Sequence, residues 1–365
     1  MIKFVNLKKQ YDSIKEDVNS AVLQVLESTN FILGPNVSEF ENEFARFCGA
    51  KFCIGFNSGT SALHAALLSK GICQGDEVIT VPNTFISTCA AISYTGALPR
   101  LVDVEKDSFN MDPKKIESAI TKKTKAIIPV HLYGQAACMK EISEIAKKHD
   151  IAIIEDACQA HGAEHHGKRA PVCGLGCFSF YPGKNLGAYG EGGAIVTNDA
   201  QLNELARAFR DHGQIRKNVH KYIGYNYRLE EIQCAILKVK LKHLEKWTQM
   251  RRKNAILYDN LIKNPNVQKP VERPYNKHVY HLYVIRVKNR QTLIEHLNAK
   301  GIQTGIHYPT PIHLQQAYSH LNYARGSFPV AEQCMQEIVS LPMYPELEEG
   351  EIAEISNVIN DFKGD

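Results

Sequence analysis

The stretch "FCIGFNSGTSALHAALLSKG" (52–71) decides the fold class. Five largely apolar residues run into the small turn "NSGT", and the helical pattern "TSALHAALLSKG" (60–71) follows directly. A short apolar strand, a tight turn and a helix form the repeating unit of an α/β fold. The same alternation continues over residues 37 to 240. Further strand-like runs are "EVITV" (77–81), "LPRLVDV" (98–104), "KAIIPVHL" (125–132), "IAIIEDA" (151–157), "GCFSFY" (176–181) and "GAIVTND" (193–199). Helical patterns between them include "PKKIESAI" (113–120) and "MKEISEIAKKHD" (139–150). Runs such as "IAII", apolar at every position, suit strands covered on both faces, so the sheet is expected to be mostly parallel and sandwiched between helices.

After about residue 240 the pattern changes. Residues 230–262 read as one long helical stretch with at most one break, followed by "HVYHLYVIRV" (278–287), a helix over 290–301 and "PVAEQCMQEIVSL" (329–341). These predict two domains, a large one over 1–240 with its N-terminal segment and a smaller α+β one over 241–365.

Composition narrows the class. The chain has 365 residues, 44% hydrophobic and 22% charged, with a net charge of only +4. No run of five or six like charges favours nucleic acid. No apolar run approaches membrane-spanning length, and "MIKFVNLKKQYDSIK" (1–15) lacks a signal-peptide core, so a cytoplasmic location is expected. The ten cysteines are scattered, most in apolar surroundings, which points to reduced structural thiols. "HGAEHHGK" (161–168) holds three histidines without matching distant ligands, and no metal is expected.

In open parallel sheets, ligands bind at the carboxyl ends of the strands. "SGT" (58–60) sits at such an end and opens a helix, where free backbone amides favour a phosphate; Ser58 or Thr60 could equally be a plain helix cap. Asp156 follows four apolar residues, where a carboxylate needs a cation or several donors. It could hold a protonated ring nitrogen or cap the next segment, and Gln159 could face the same space. Lys184, in "GCFSFYPGKNLGAYGEGG" (176–193), follows the next strand, and a desolvated lysine is the residue type that captures carbonyls. Ser179 could add a hydroxyl to a phosphate and Phe85 a flat apolar face. Each feature is weak alone. Together they supply the parts that bind pyridoxal 5′-phosphate.

These motifs resemble the DegT/DnrJ/EryC1/StrS family of pyridoxal-phosphate-dependent sugar aminotransferases, of the aspartate-aminotransferase fold (fold type I). The resemblance runs from "FILGPNVSEFENEFARFCGAKFCIGFNSGTSALHAAL" (31–67) to "SLPMYPEL" (340–347). It implies that Lys184 carries the cofactor and shuttles a proton, and that Asp156 pairs with the pyridine nitrogen. Gln159 would meet the ring's hydroxyl side, Ser58, Gly59, Thr60 and Ser179 the phosphate, and Phe85 the ring face. Asn226 matches an asparagine that reaches the phosphate of a neighbouring subunit, which implies a homodimer with shared sites.

The implied reaction moves nitrogen from L-glutamate to a keto group of a nucleotide-linked sugar. The spelling "FYPGKNLGAYGEGGA" resembles the branch acting at C3, often on dTDP-linked 3-keto-6-deoxy sugars; a C4 enzyme on a UDP- or GDP-linked 4-keto sugar is the alternative. Tyr181, His307, Tyr308 and His313 are candidate sugar contacts, and Lys217 and Lys221 candidates for the pyrophosphate. The family's dehydratase branch carries histidine in place of the lysine, a non-catalytic member would have lost Lys184 or Asp156, and a nicotinamide enzyme needs GxGxxG where this chain has "NSGTSA".

Overall fold

The computed structural model describes residues 1–364. Its centre is a twisted sheet of seven strand positions. In spatial order these are Phe52–Phe56, Gly193–Thr197, Leu175–Ser179, the broken strand Ala152–Ile153 and Glu155–Asp156, Thr124–Ile127, Glu77–Thr80 and Leu98–Leu101. The break at Ile154 is bridged by backbone, since its amide donates to Ile127 O at 3.0 Å and the Asp156 amide to Pro129 O at 2.9 Å. Only Gly193–Thr197 runs against its neighbours; the remaining pairings are parallel. The expectation of a mostly parallel sheet therefore holds.

Successive side chains of a strand point to opposite faces, and both faces here are buried. Ile54, Cys177 and Ile195 pack with the helices Gly59–Ser69 and Ala200–Arg210 on one face. Cys53, Phe178, Ala194 and Val196 pack on the other face with Phe40 and Phe44 of the helix Pro35–Cys48. The result is three layers, helix, sheet and helix. All ten cysteines are free thiols.

The long helical stretch breaks once, into Glu231–Leu241 and Leu244–Leu261. Beyond it, Tyr283–Arg286 and Ile338–Leu341 pair antiparallel against the helices Arg290–Ala299 and Glu349–Asp361. The first residues of the chain join this layer, because Ile2 pairs with Ile302 and shares its core. Two readings need correction. "PKKIESAI" forms two separate 3-10 turns, Pro113–Lys115 and Glu117–Ala119, instead of an α-helix. "HVYHLYVIRV" is a strand only over Tyr283–Arg286, because Val279 and Leu282 give their amides to Gly134 and Tyr133 in the large sheet's loops. Among the described residues no helix is long and apolar enough to cross a membrane.

Candidate active site

Strand register builds one edge of the site. Phe56, Gly193 and Ser179 are paired side by side at the end of the sheet, and Asp156 ends the next strand along. Because Gly193–Thr197 runs the opposite way, it brings its first residue to this edge, beside the start of the helix Gly59–Ser69. That crossing is tight. A Cβ on Gly193 would lie 2.3 Å from Ser58 C and O, and one on Gly59 would lie 2.7 Å from the Ser179 Cβ.

A cavity of about 720 Å³ opens over this edge, lined by Ser58, Gly59, Thr60, Phe85, Asp156, Gln159, Ser179, Tyr181, Lys184, His307 and Tyr308, among others. Eleven of the fifteen residues singled out from sequence thus meet in one place. Ser58 caps the helix, accepting from the Ser61 amide at 3.0 Å while Ser61 returns the bond. The Gly59 and Thr60 amides, first in the helix, keep no acceptor among the described residues, so cap and anion site coexist here. Asp156 is buried. Its Oδ2 accepts from the Thr88 hydroxyl at 2.8 Å and its Oδ1 from the Cys158 amide at 3.2 Å, which leaves acceptor capacity facing the cavity.

Lys184 projects into the same space, and among the described residues its Nζ has no hydrogen-bond or ion-pair partner. Burial pushes its pKa below that of an exposed lysine, while the nearby Cys158 and Asp156 act weakly the other way. The loop carrying it is compact, because a Cβ on Gly187 would lie 2.3 Å from Pro182 O. Three imidazoles lie close enough to feel the amine's charge. Burial and the Lys184 charge hold His161 down to about 3 and His307 to about 4, and push His281 well below the usual range. All three are therefore neutral near pH 7.

Gln159 orients Tyr308, donating to its hydroxyl at 3.2 Å while its own Oε1 accepts from the Tyr133 amide at 2.7 Å. Phe85, half exposed, tilts over Tyr308 with ring centroids 5.4 Å apart. His307 stacks on Phe4 and bonds the Ser340 hydroxyl at 2.9 Å. Tyr181 lies exposed at the mouth.

Four of the fifteen residues fall elsewhere. His313 is buried outside the cavity, with its Nε2 paired to Glu332 at 3.0 Å. The structure thus removes it from the sugar contacts. Lys217 and Lys221 lie on the exposed hairpin built from Gln214–Arg216 and Val219–His220, away from this chain's own cavity. Asn226 is exposed too, and only its backbone is engaged, bridging Asp211 and accepting from Asn57. Of the three clustered histidines, His165 bonds Asn276 at 2.8 Å and His166 stacks on Tyr275, so two serve packing.

Among the lining residues that escaped the sequence reading, two hold polar groups of the site. Thr88 holds Asp156 although 68 positions separate them. His281 bonds Asn185 Oδ1 through Nδ1 at 3.3 Å, and Asn185 is fixed by donating to Val279 O at 2.9 Å. The His281 proton therefore sits on Nδ1, and its bare Nε2 is an acceptor beside Lys184.

A buried amine, a carboxylate with spare acceptor capacity and a helix N-terminus with free amides match a cofactor bearing an aldehyde, a protonated ring nitrogen and a phosphate. The model of the DegT/DnrJ/EryC1/StrS aminotransferase family matches residues 12–360. The chain belongs to this family. It is accordingly a pyridoxal-phosphate-dependent aminotransferase. It is 45% identical to the dTDP-3-amino-3,6-dideoxy-α-D-galactopyranose transaminase of Aneurinibacillus thermoaerophilus, over 99% of both chains. It is 41% identical to the UDP-2-acetamido-2-deoxy-3-oxo-D-glucuronate aminotransferase of Pseudomonas aeruginosa, over 96% of this chain and 98% of that one. The crystal structure of DesV from S. venezuelae superposes on this aminotransferase with a TM-score of 0.97 and 41% identity, covering 99% of this chain and 98% of that one.

Proposed function

We propose that the protein transfers the amino group of L-glutamate to the C3 keto group of a dTDP-linked 3-keto-6-deoxyhexose, for deoxyamino-sugar biosynthesis. The observation that carries the chemistry is the unpartnered Lys184 amine sharing one cavity with Asp156 and the free amides of Gly59 and Thr60. Support for the sugar comes from the dTDP-3-amino-sugar transaminase among its relatives and from the spelling around Lys184. A UDP-linked 3-oxo sugar is the second reading, favoured by the Pseudomonas relative.

Pyridoxal phosphate, when bound, supplies an aldehyde for a lysine amine and a protonated ring that accepts the electron pair of a breaking C–H bond. In this reading the residues do the rest. Lys184 is poised by burial, because a lowered pKa leaves more of its amine unprotonated and nucleophilic at neutral pH. The same Nζ would take the proton from the donor's α-carbon and return one to the sugar carbon. Asp156 keeps a ring nitrogen protonated. The Gly59 and Thr60 amides and the Ser179 hydroxyl hold the phosphate at the positive end of the helix dipole. Phe85 covers one ring face, and Tyr181, His307 and Tyr308 contact the sugar.

Asn226, Lys217 and Lys221 belong, in this reading, to the cavity of a second copy in a homodimer. Exposed Ile215 and Ile223 beside them support a surface covered in the assembly. The test is direct. Purified protein with pyridoxal phosphate should absorb in the visible and, after borohydride, carry the cofactor on a Lys184 peptide. Absence of colour and label would sink the reading, and amination of the dTDP sugar against the UDP sugar decides the nucleotide.

A further inference from the structure

Residues Thr84 to Thr88 form a short segment that touches several parts of the cavity. Phe85 lines it, the Ser87 hydroxyl accepts from the Thr60 hydroxyl at 2.9 Å, and Thr88 reaches Asp156. Thr84 and Thr88 are buried, and their hydroxyls lie 2.8 Å apart. The direction of each proton follows from chemistry. An ionised carboxylate only accepts, so the Thr88 proton goes to Asp156 Oδ2. The Thr88 oxygen is then left to accept from Thr84. The two hydroxyls form an ordered chain ending on the carboxylate, each bond polarising the next.

We propose that Thr88, backed by Thr84, is a positioning residue for the reaction. It turns the Asp156 carboxylate toward the cofactor nitrogen. This rests on the assignment of Asp156 made above. A donor fixed on one carboxylate oxygen sets the plane of the group and leaves the other lone pairs for the ring nitrogen. Lys184 is the cation facing Asp156, and the neighbouring groups that titrate are Cys158, Cys177 and Tyr308. Burial raises the pKa of all three, so none of them is charged near pH 7. Thr88 is thus the only side-chain hydroxyl bonded to the carboxylate among the described residues.

The experiment strips the full-length protein of cofactor, adds back pyridoxal phosphate and measures the dissociation constant by absorbance. Thr88→Val keeps the shape and removes the donor. It should weaken cofactor binding about tenfold or more, the scale of a hydrogen bond to a charged group. Thr88→Ser should behave as wild type, and Thr88→Ala replaces the valine variant if that one does not fold. Binding within twofold of wild type in the variant lacking the hydroxyl would overturn the inference. So would a serine variant as weak as the valine one. Asp156→Asn separates the two readings. If it binds as tightly as wild type, the role of Asp156 falls and this inference with it; if it loses cofactor while Thr88→Val does not, only the hydroxyl chain is refuted.

Discussion

Replacing Gly193 with alanine tests whether the antiparallel strand sets the phosphate site. The added Cβ would stand 2.3 Å from both Ser58 C and Ser58 O and 2.6 Å from the Gly59 amide nitrogen. Ordinary carbon contacts are about 3.5–4.0 Å, so the backbone must part by more than about 1 Å. No side chain can swing away, because the atoms met are main chain. Overpacking of this kind costs about 1–3 kcal/mol. The displaced atoms are those that aim the Gly59 and Thr60 amides. Each amide to a charged phosphate is worth about 1.5–3 kcal/mol, so misaligning one should weaken cofactor binding about 10- to 100-fold. Absorbance titration of apo protein and thermal unfolding with and without cofactor give both readouts. The control is Gly350→Ala, where a Cβ meets nothing within 4 Å and lies in a helix, so stability should hold or rise slightly. A Gly193→Ala protein with wild-type affinity and melting temperature would refute the reasoning.

Two further outcomes are expected. Lys240 is buried, donates to Gly187 O in the lysine loop, and has its pKa pushed down to about 7 by burial. Unfolded lysine titrates near 10.4, so the unfolded chain holds more protons between those values and stability should rise with pH across that window. Urea unfolding between pH 7 and 10 should show Lys240→Met gaining less with pH than wild type; equal slopes would contradict the burial argument. His313→Ala should lower stability by about 1–3 kcal/mol, because Glu332 keeps the Gly326 and Phe328 amides but loses the imidazole, while leaving cofactor affinity and the Michaelis constant for the sugar unchanged. A raised Michaelis constant at unchanged stability would return His313 to the sugar site.

The parts of the site legible in sequence were those with a local signature. Asp156 stood out because a carboxylate ended an apolar run, and Lys184 because a lone cation sat among glycines and aromatics. "SGT" was readable as either a cap or an anion cradle, and the structure has Ser58 capping while the next two amides stay free. Thr88 carried no such signal, because a threonine in a short helix is ordinary until its partner 68 positions away is known. His281 lay in an apolar run read for its strand character, and its tautomer depends on Asn185 and Val279 together. His313 misled for the opposite reason: a histidine in a polar loop looks available until Glu332 is found against it.

By itself, the sequence determined the alternation of strand and helix, the chemical types at the strand ends, and through them the family. Those properties are written in short windows, where apolar period and turn chemistry act on neighbouring residues. Tertiary structure decided the strand order, the single reversed strand that presses Gly193 against Ser58, and which hydroxyl orients Asp156. It also left the hairpin lysines and Asn226 exposed and outside the lining of this cavity. Each of these depends on pairing between segments far apart in the chain, set by the packing of whole layers, which no local pattern encodes.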